Sequence, residues 1–461
     1  MGTVIGIILL ITFFLFIFYA IKGGNLLLGL FVMAVIWTGL SWIGGAVDWT
    51  SLNSTVFQGG PEAFGPTAIN IIFGSWFGRV LVETGIARTI IKKAVELGGD
   101  KPALTVILLV IVVAAIFTTA YGVGAVVAIG VIVFPIMLAL GIPKPLASGA
   151  FAMAVTNGLY FNHALLTQAA GTMVMNEEQY VHGPEWYRFA AVATAIHLAT
   201  IIIMVIISTR RKTKVHAWAV SKNDDESLEP AGKRFVADES DVDIGVGVST
   251  STATTNLKDA NLLACLTPLL PVTLVLTLGF SSILSIVVAV IWAFAWTGYL
   301  KSWNGLADVV QKTFHDGVSD MGLVLGFLLF LQMFIRSTSV SRDFLAPLVA
   351  PIMPSNVFLL FLVFGILGFL ALFRGPLTIW GAGAATFGIV AATGLYPLSI
   401  LYPLFYILCS TVTTNVCPTQ SWNMWAIGYT KIPVKDFMRQ TLPYALPLAL
   451  VLELVAYFMF V

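Results

Sequence analysis

Long apolar runs, punctuated by short polar or glycine-rich breaks, set the pattern of this chain. Thr3–Ile21, Leu26–Ile43, Trp186–Ile207, Phe280–Trp296 and Leu442–Val461 approach or exceed the ~20 residues that a spanning helix needs. Two longer blocks, Pro102–Leu140 and Pro354–Thr393, are each about twice the length of one span. They are broken near the middle by TTAYGVGA (Thr118–Ala125) and RGPLTIWGAGA (Arg374–Ala384). Each block is either two crossings or a re-entrant helical hairpin. Two further breaks, TNGLYFNHA (Thr156–Ala164) and TTNVCPTQSWN (Thr413–Asn423), interrupt apolar surroundings with Asn, Gly, Pro, Ser and Thr. The fold class is therefore an all-α polytopic membrane protein.

The two halves are related. Trp49, Leu52, Phe73, Thr84 and Arg88 match Trp303, Leu306, Phe327, Thr338 and Arg342 at one constant offset. Gly122, Gly130 and Gly141 match Gly375, Gly383 and Gly394 one residue out of that register, and Thr156-Asn157 matches Thr414-Asn415 after a short insertion. Read with hairpins, each half has about five spanning helices, a re-entrant hairpin and a broken helix. An odd number of crossings inverts the second repeat relative to the first, as in secondary transporters. The division is 1–208 for the first membrane repeat, 209–256 for a linker and 257–461 for the second repeat. The linker carries Asp224, Asp225, Glu226 and a Ser/Thr-rich run, so it has little to bury and reads as a flexible cytoplasmic connection.

Composition agrees. The chain is 58% hydrophobic and 10% charged, against about 25% charged in a soluble protein. A net charge of +1 says nothing about partners; no nucleic-acid partner is expected, and lipid is the main surrounding. The N-terminal run lacks a basic stretch before it and a small-residue cleavage site after it, so it reads as the first helix and not a signal peptide. Basic residues gather in one set of loops: Lys22; Arg88, Lys92 and Lys93; Lys144; Arg210, Arg211, Lys212 and Lys214; Lys301; Lys431, Lys435 and Arg439. The alternate loops carry Asp48, Glu62, Glu177, Glu178 and Glu185. Positive loops stay inside, which places both termini outside the cytoplasm of an inner membrane. Cys265, Cys409 and Cys417 lack metal-ligand spacing and read as buried packing residues. No cofactor is implied.

Irregular backbone at membrane depth is tolerated only where protein or a wet cavity satisfies it, so the four breaks mark the candidate site. Arg374 follows twenty charge-free residues, Pro354–Phe373, and precedes Gly375-Pro376. It sits either at the opposite surface or at a hairpin tip, where its guanidinium suits a carboxylate. Thr118, Thr119, Gly122, Thr156, Asn157, Thr414, Asn415 and Thr419 supply uncharged oxygens, amides and free backbone for a substrate. For the coupling ion the candidates are His163, Asn157 and Asn415; an unperturbed histidine titrates near 6.5. His197 reads as packing. Arg79 and Glu83, one turn apart, read as an ion pair, and Gly74 and Gly78 as a close-packing face. Ile86–Leu97 reads as an amphipathic surface helix.

The run NIIFGSWFGRVLVETGIARTIIKK and the closing segment TTNVCPTQSWNMWAIGYTKIPVKDFMRQTLPY resemble the gluconate permease and citrate transporter branches of the ion transporter superfamily. That resemblance implies inverted repeats with re-entrant hairpins, often a homodimer with elevator-like motion, and import of organic anions with H⁺ or Na⁺. The Ser-Asn-Thr tip motif of the sodium-dicarboxylate branch is absent; the first tip here reads Thr118-Thr119-Ala120-Tyr121-Gly122.

The reading is a secondary symporter for a small hydroxy-, mono- or dicarboxylate. The alternative is a cation/proton antiporter, in which Arg374 is structural and His163 or Glu83 exchanges protons; that function needs a membrane-embedded carboxylate, and none is expected in the core. No spacing of residues suggests an intramembrane enzyme, and the chain has no GxxxxGK[ST] motif.

Overall fold

The computed structural model describes residues 2–21, 24–99, 101–175, 178–211 and 260–461. All but the first three residues of the 209–256 linker lie outside the described residues.

The first half runs α1 (Gly2–Ile21), α2 (Leu26–Ile43), α3 (Trp49–Ser51), a π-helical segment (Leu52–Gln58), α4 (Gly59–Glu83), α5 (Ile86–Gly98), α6 (Pro102–Phe117), α7 (Val123–Ala139), α8 (Lys144–Gly158), α9 (His163–Thr172) and α10 (Pro184–Arg211). The second half repeats that order. A 3₁₀ segment (Ala264–Leu269) leads into α11 (Leu270–Leu278), then α12 (Ser282–Thr297), α13 (Trp303–Val340) and α14 (Arg342–Val349). There follow α15 (Val357–Ile366), a 3₁₀ segment (Leu367–Arg374), α16 (Gly383–Ala392), α17 (Leu398–Leu408), a π segment (Cys409–Thr413), α18 (Thr414–Val416), α19 (Ser421–Thr430) and α20 (Val434–Phe460). No strand is found among the described residues, and seven of their helices are long and apolar enough to cross a membrane. The outward faces are apolar: Val4, Phe14, Leu15 and Phe18 on α1 are all exposed, which suits lipid as the solvent.

Repeat mates pack antiparallel, as inversion requires. On α4 and α13, a Cβ on Gly60 would lie 3.1 Å from the Met333 backbone, and one on Gly317 would lie 2.9 Å from that of Trp76. As one helix advances, its partner recedes. α10 and α20 do the same: Gln440 donates to Ser208 at 2.8 Å, and Phe189 meets Phe460 at the other end. The matched glycines Gly141 and Gly394 both have φ near +70° (74° and 67°) and end the second limbs of the two blocks.

Several sequence expectations change here. Arg79 does not pair with Glu83. It forks onto Asp320 of α13, with Nε and Nη2 at 2.6 Å from the two carboxylate oxygens, while Glu83 takes Lys312 of α13 at 2.8 Å. The antiparallel neighbour offers better geometry than the next turn of the same helix. A membrane-embedded carboxylate does exist: Glu453 lies on α20, fully buried. Cys265 is only half-buried, whereas Cys409 and Cys417 are buried; all three are free thiols. Gly74 and Gly78 do admit a close neighbour, since added Cβ atoms would come within 3 Å of Ala164 and Ala125. Along α5, Arg88, Lys92, Lys93 and Glu96 are exposed and Ile86, Ile91 and Ala94 buried.

Candidate functional site

The site forms where two hairpin tips meet two broken helices. α8 ends at Gly158, packed closely on α6 and the first tip; a Cβ there would fall 2.3 Å from the Ala114 carbonyl oxygen and 2.8 Å from the Thr118 nitrogen. The chain turns through Leu159–Asn162 and restarts at His163. Asn162 caps α9, its Oδ1 accepting the Leu165 N–H at 3.1 Å, and its Nδ2 donates to the carbonyls of Phe117 at 2.9 Å and Ala120 at 2.8 Å. One side chain thus fastens the first tip to the first break.

The second half uses Arg374 for the corresponding task. Its Nη1 donates to the Trp380 carbonyl and its Nη2 to that of Thr419, both at 3.0 Å. Thr413 adds a bond to the Ala371 carbonyl at 3.0 Å, and Cys417 Sγ accepts the Phe373 N–H at 3.1 Å. The turn is strained: Phe373 and Arg374 have φ of 52° and 60°, left-handed values that cost a side-chain-bearing residue of order 1–3 kcal/mol and cluster at functional sites. Arg374 is part-buried, its Nε has no partner, and among the described residues no carboxylate pairs with it. Here a cation is held by carbonyl dipoles alone.

Where the two broken helices pack together, α8 against α18, lies a polar centre with spare hydrogen-bonding capacity. The π segment Cys409–Thr413 frees backbone groups of α17, a device frequent at functional sites. Tyr406 donates to the Leu159 carbonyl at 3.0 Å. Asn415 Nδ2 reaches the Thr411 carbonyl at 2.8 Å and His197 Nε2 at 3.2 Å. His197, read from the sequence as packing, is thus a polar neighbour of the second break. Both amide atoms of Asn157, Oδ1 of Asn415, Oε1 of Gln420 and Nδ1 of His197 are buried without partners. Buried polar atoms are almost always satisfied, so this concentration points to a ligand or ordered water.

The expected substrate residues fall into two groups. Arg374, Gly375 and Thr419 meet at the second tip and break, with Asn415 two residues before that break and Asn157 two before the first. Thr156 and Thr414 spend their hydroxyls on carbonyls of their own helices, Ala152 at 3.0 Å and Ser410 at 2.9 Å. Gly122, with φ of 103°, turns the first tip against Ser75 and Met321. Thr118, Thr119 and His163 line a separate pocket with Phe161, Tyr187 and Ile286, to which neither Arg374 nor Asn415 contributes. Thr119 also docks this tip onto the second repeat, donating to the Pro268 carbonyl at 2.7 Å. Beyond α9, in the loop before α10, His182 bonds the Tyr402 hydroxyl at 2.7 Å. Burial, with His163 nearby, pushes its imidazole down to about 3.

Sequence reasoning passed over Asn162, Tyr406 and Glu453. Asn162 carried a readable signal, an Asn just before a helix start, and Glu453 another, a lone acid within the Leu442–Val461 run; Tyr406 carried none.

Inverted repeats, hairpin tips and broken helices define a multi-pass helical membrane protein. The same fold occurs in the crystal structure of the Alcanivorax borkumensis YdaH transporter, which reveals an unusual topology: the TM-score is 0.61 over 94% of this chain and 97% of that one, at 15% identity. No protein-family model and no curated protein matches the sequence.

Proposed function

We propose that the protein is a secondary symporter that imports a small organic anion, a hydroxy-, mono- or dicarboxylate, across the inner membrane by alternating access, coupled to H⁺ or Na⁺. The observation that carries this is Arg374, a guanidinium at a strained hairpin tip beside a broken helix, with an unpartnered Nε and, among the described residues, no carboxylate paired with it. An intramembrane cation is costly and is kept where it has work to do; a carboxylate ligand supplies the missing counter-charge. The amides of Asn157 and Asn415 supply the orienting contacts. The resemblance to the gluconate and citrate branches of the ion transporter superfamily supports the same substrate class, with a homodimer whose hairpin-bearing parts move as elevators. Uptake of radiolabelled gluconate, lactate and citrate into proteoliposomes, under imposed H⁺ and Na⁺ gradients, tests it. Gradient-driven accumulation of at least one is expected; accumulation of none, under either gradient, defeats the reading.

A further inference from the structure

Glu453 is a fully buried acid of the membrane core, and neither of its carboxyl oxygens has a hydrogen-bond partner. It lies in the C-terminal third of α20, within the apolar stretch that starts at Leu442, and the neighbouring buried residues of the helix are Leu448, Ala449, Leu452 and Ala456. A buried, partnerless carboxylate is so costly that the neutral acid is the form that fits here. α20 packs against α8, α10, α15, α17, α18 and the 3₁₀ and π segments around the second hairpin. Among the residues whose side chains are described, their titratable or charged groups are Lys144, Glu185, Tyr187, Arg188, His197, Arg374, Tyr402, Tyr406 and Cys409, with Lys435, Asp436, Arg439, Tyr444 and Tyr457 on α20 itself. None bonds Glu453, and no charge acts on it.

Two relationships tie this acid to the candidate site. First, it abuts the outer limb of the second hairpin at a glycine: a Cβ on Gly365 of α15 would stand 3.5 Å from Glu453 Cβ and 3.1 Å from Leu450 Cα. The same limb ends in Arg374, so a movement that opens the tip slides the surface sealing Glu453. Second, the antiparallel register of α10 and α20, fixed by Phe189–Phe460 and Ser208–Gln440, sets His197 at the depth of Glu453. Thr194 Oγ1 and His197 Nδ1, one turn apart on α10, are likewise buried without partners, and His197 Nε2 contacts Asn415.

Resting on the symport reading above, we propose that Glu453 is the proton-binding group that couples transport. When the limb parts from α20 on one side of the membrane, the carboxylate takes up a proton from water; resealing buries the neutral acid; opening on the other side returns the proton to water. No electron moves and no other bond forms or breaks. With a monoanion on Arg374 and a proton on Glu453, the loaded pair of sites carries no net charge into the bilayer. His163 lies instead in the lateral pocket away from this limb.

Two measurements on the full chain test this. Infrared difference spectra between neutral and alkaline pH, on purified protein without substrate, should show a protonated-carboxyl band in the wild type that is missing in Glu453→Gln. A wild type without that band overturns the proposal, whatever the substrate. In proteoliposomes loaded with gluconate, lactate or citrate, Glu453→Gln should retain exchange of the transported anion while losing its pH-gradient-driven accumulation. Undiminished accumulation, or loss of exchange together with binding, overturns the proton role and leaves Arg374 as the anion site. If the wild type transports none of the three, the symport reading fails, and the infrared comparison still decides whether Glu453 holds a proton.

Discussion

Arg79 on α4 grips Asp320 on α13 through both arms of its guanidinium, and the carboxylate lies directly over Gly124 at the start of the first hairpin's second limb. A Cβ on Gly124 would fall 1.9 Å from Asp320 Oδ2. The two side chains are 13% and 5% exposed, so the pair is buried and breaking it strands a charge. Asp320→Asn should cost ~3–5 kcal/mol, read as a fall in the thermal unfolding midpoint in detergent. The half-exposed Lys312–Glu83 pair should be worth ~1 kcal/mol or less. Equal losses from Asp320→Asn and Lys312→Ala would show that the fork adds nothing special.

Asn162 makes a second separable prediction. Asn162→Ala strands the Phe117 and Ala120 carbonyls at ~1–3 kcal/mol each where they remain buried. Asn162→Asp keeps a good helix cap but turns a carboxylate toward those carbonyls. If fastening the tip is the main role, Asp should be at least as damaging as Ala. A stable Asp variant would mean that only the cap matters.

These two cases show what the sequence could and could not reveal. Spans and breaks were legible because each depends on local composition: apolar runs, Gly and Pro at turns, Asn before a helix start; whether each long block is a hairpin or two crossings was not. The repeat was legible through Trp49/Trp303 and Arg88/Arg342, and Trp49 and Trp303 do open corresponding helices. Partners across the membrane were not. Arg79 has Glu83 one turn away and Asp320 on a helix from the other half, and only three-dimensional crossing decides between them. Glu453 was passed over because one acid scarcely lowers the hydropathy of a 27-residue helix. The role of Arg374 was half legible: its place at a break followed from the charge-free run before it, its two bonds to carbonyls did not.

His182 predicts a pH effect on stability. Its imidazole in the folded protein is pushed down to about 3, below the ordinary histidine value of about 6.5. Between those values the unfolded chain takes up a proton that the folded protein refuses. Stability is therefore lost as pH falls below about 6.5, by at most ~1.4 kcal/mol per pH unit and less where solvent reaches the ring. The midpoint should drop less between pH 7 and pH 5 in His182→Gln than in the wild type; an identical drop would remove His182 from the acid response.

Membrane orientation is tested by single cysteines. Lys93, Lys144 and Lys435 are exposed at helix faces or ends, and Glu178 is exposed in the loop before α10. Impermeant thiol reagents should reach the first three positions only from the cytoplasm and Glu178 only from outside, following the positive-inside rule. Labelling at position 178 from within would reverse the topology.

Arg374 decides the anion site, and its two roles must be separated. A guanidinium that served only an anion in a wet cavity could be replaced by Ala without loss of stability. The structure adds a cost, because the guanidinium also holds the Trp380 and Thr419 carbonyls. Arg374→Ala should therefore unfold at lower temperature even without ligand, whereas Arg374→Lys keeps a cation that can hold one carbonyl. Ligand-induced stabilisation isolates binding from this baseline, because an anion that binds only the folded protein adds ~2.7 kcal/mol at a hundred times its Kd. For the transported carboxylate, the thermal shift should be full in the wild type and absent in Arg374→Ala. In Arg374→Lys it should be reduced by a loss of ~1–3 kcal/mol in affinity, since an ammonium cannot fork onto a carboxylate. A wild-type shift in a folded Arg374→Ala protein would leave the guanidinium with only its bonds to Trp380 and Thr419 and place the anion elsewhere.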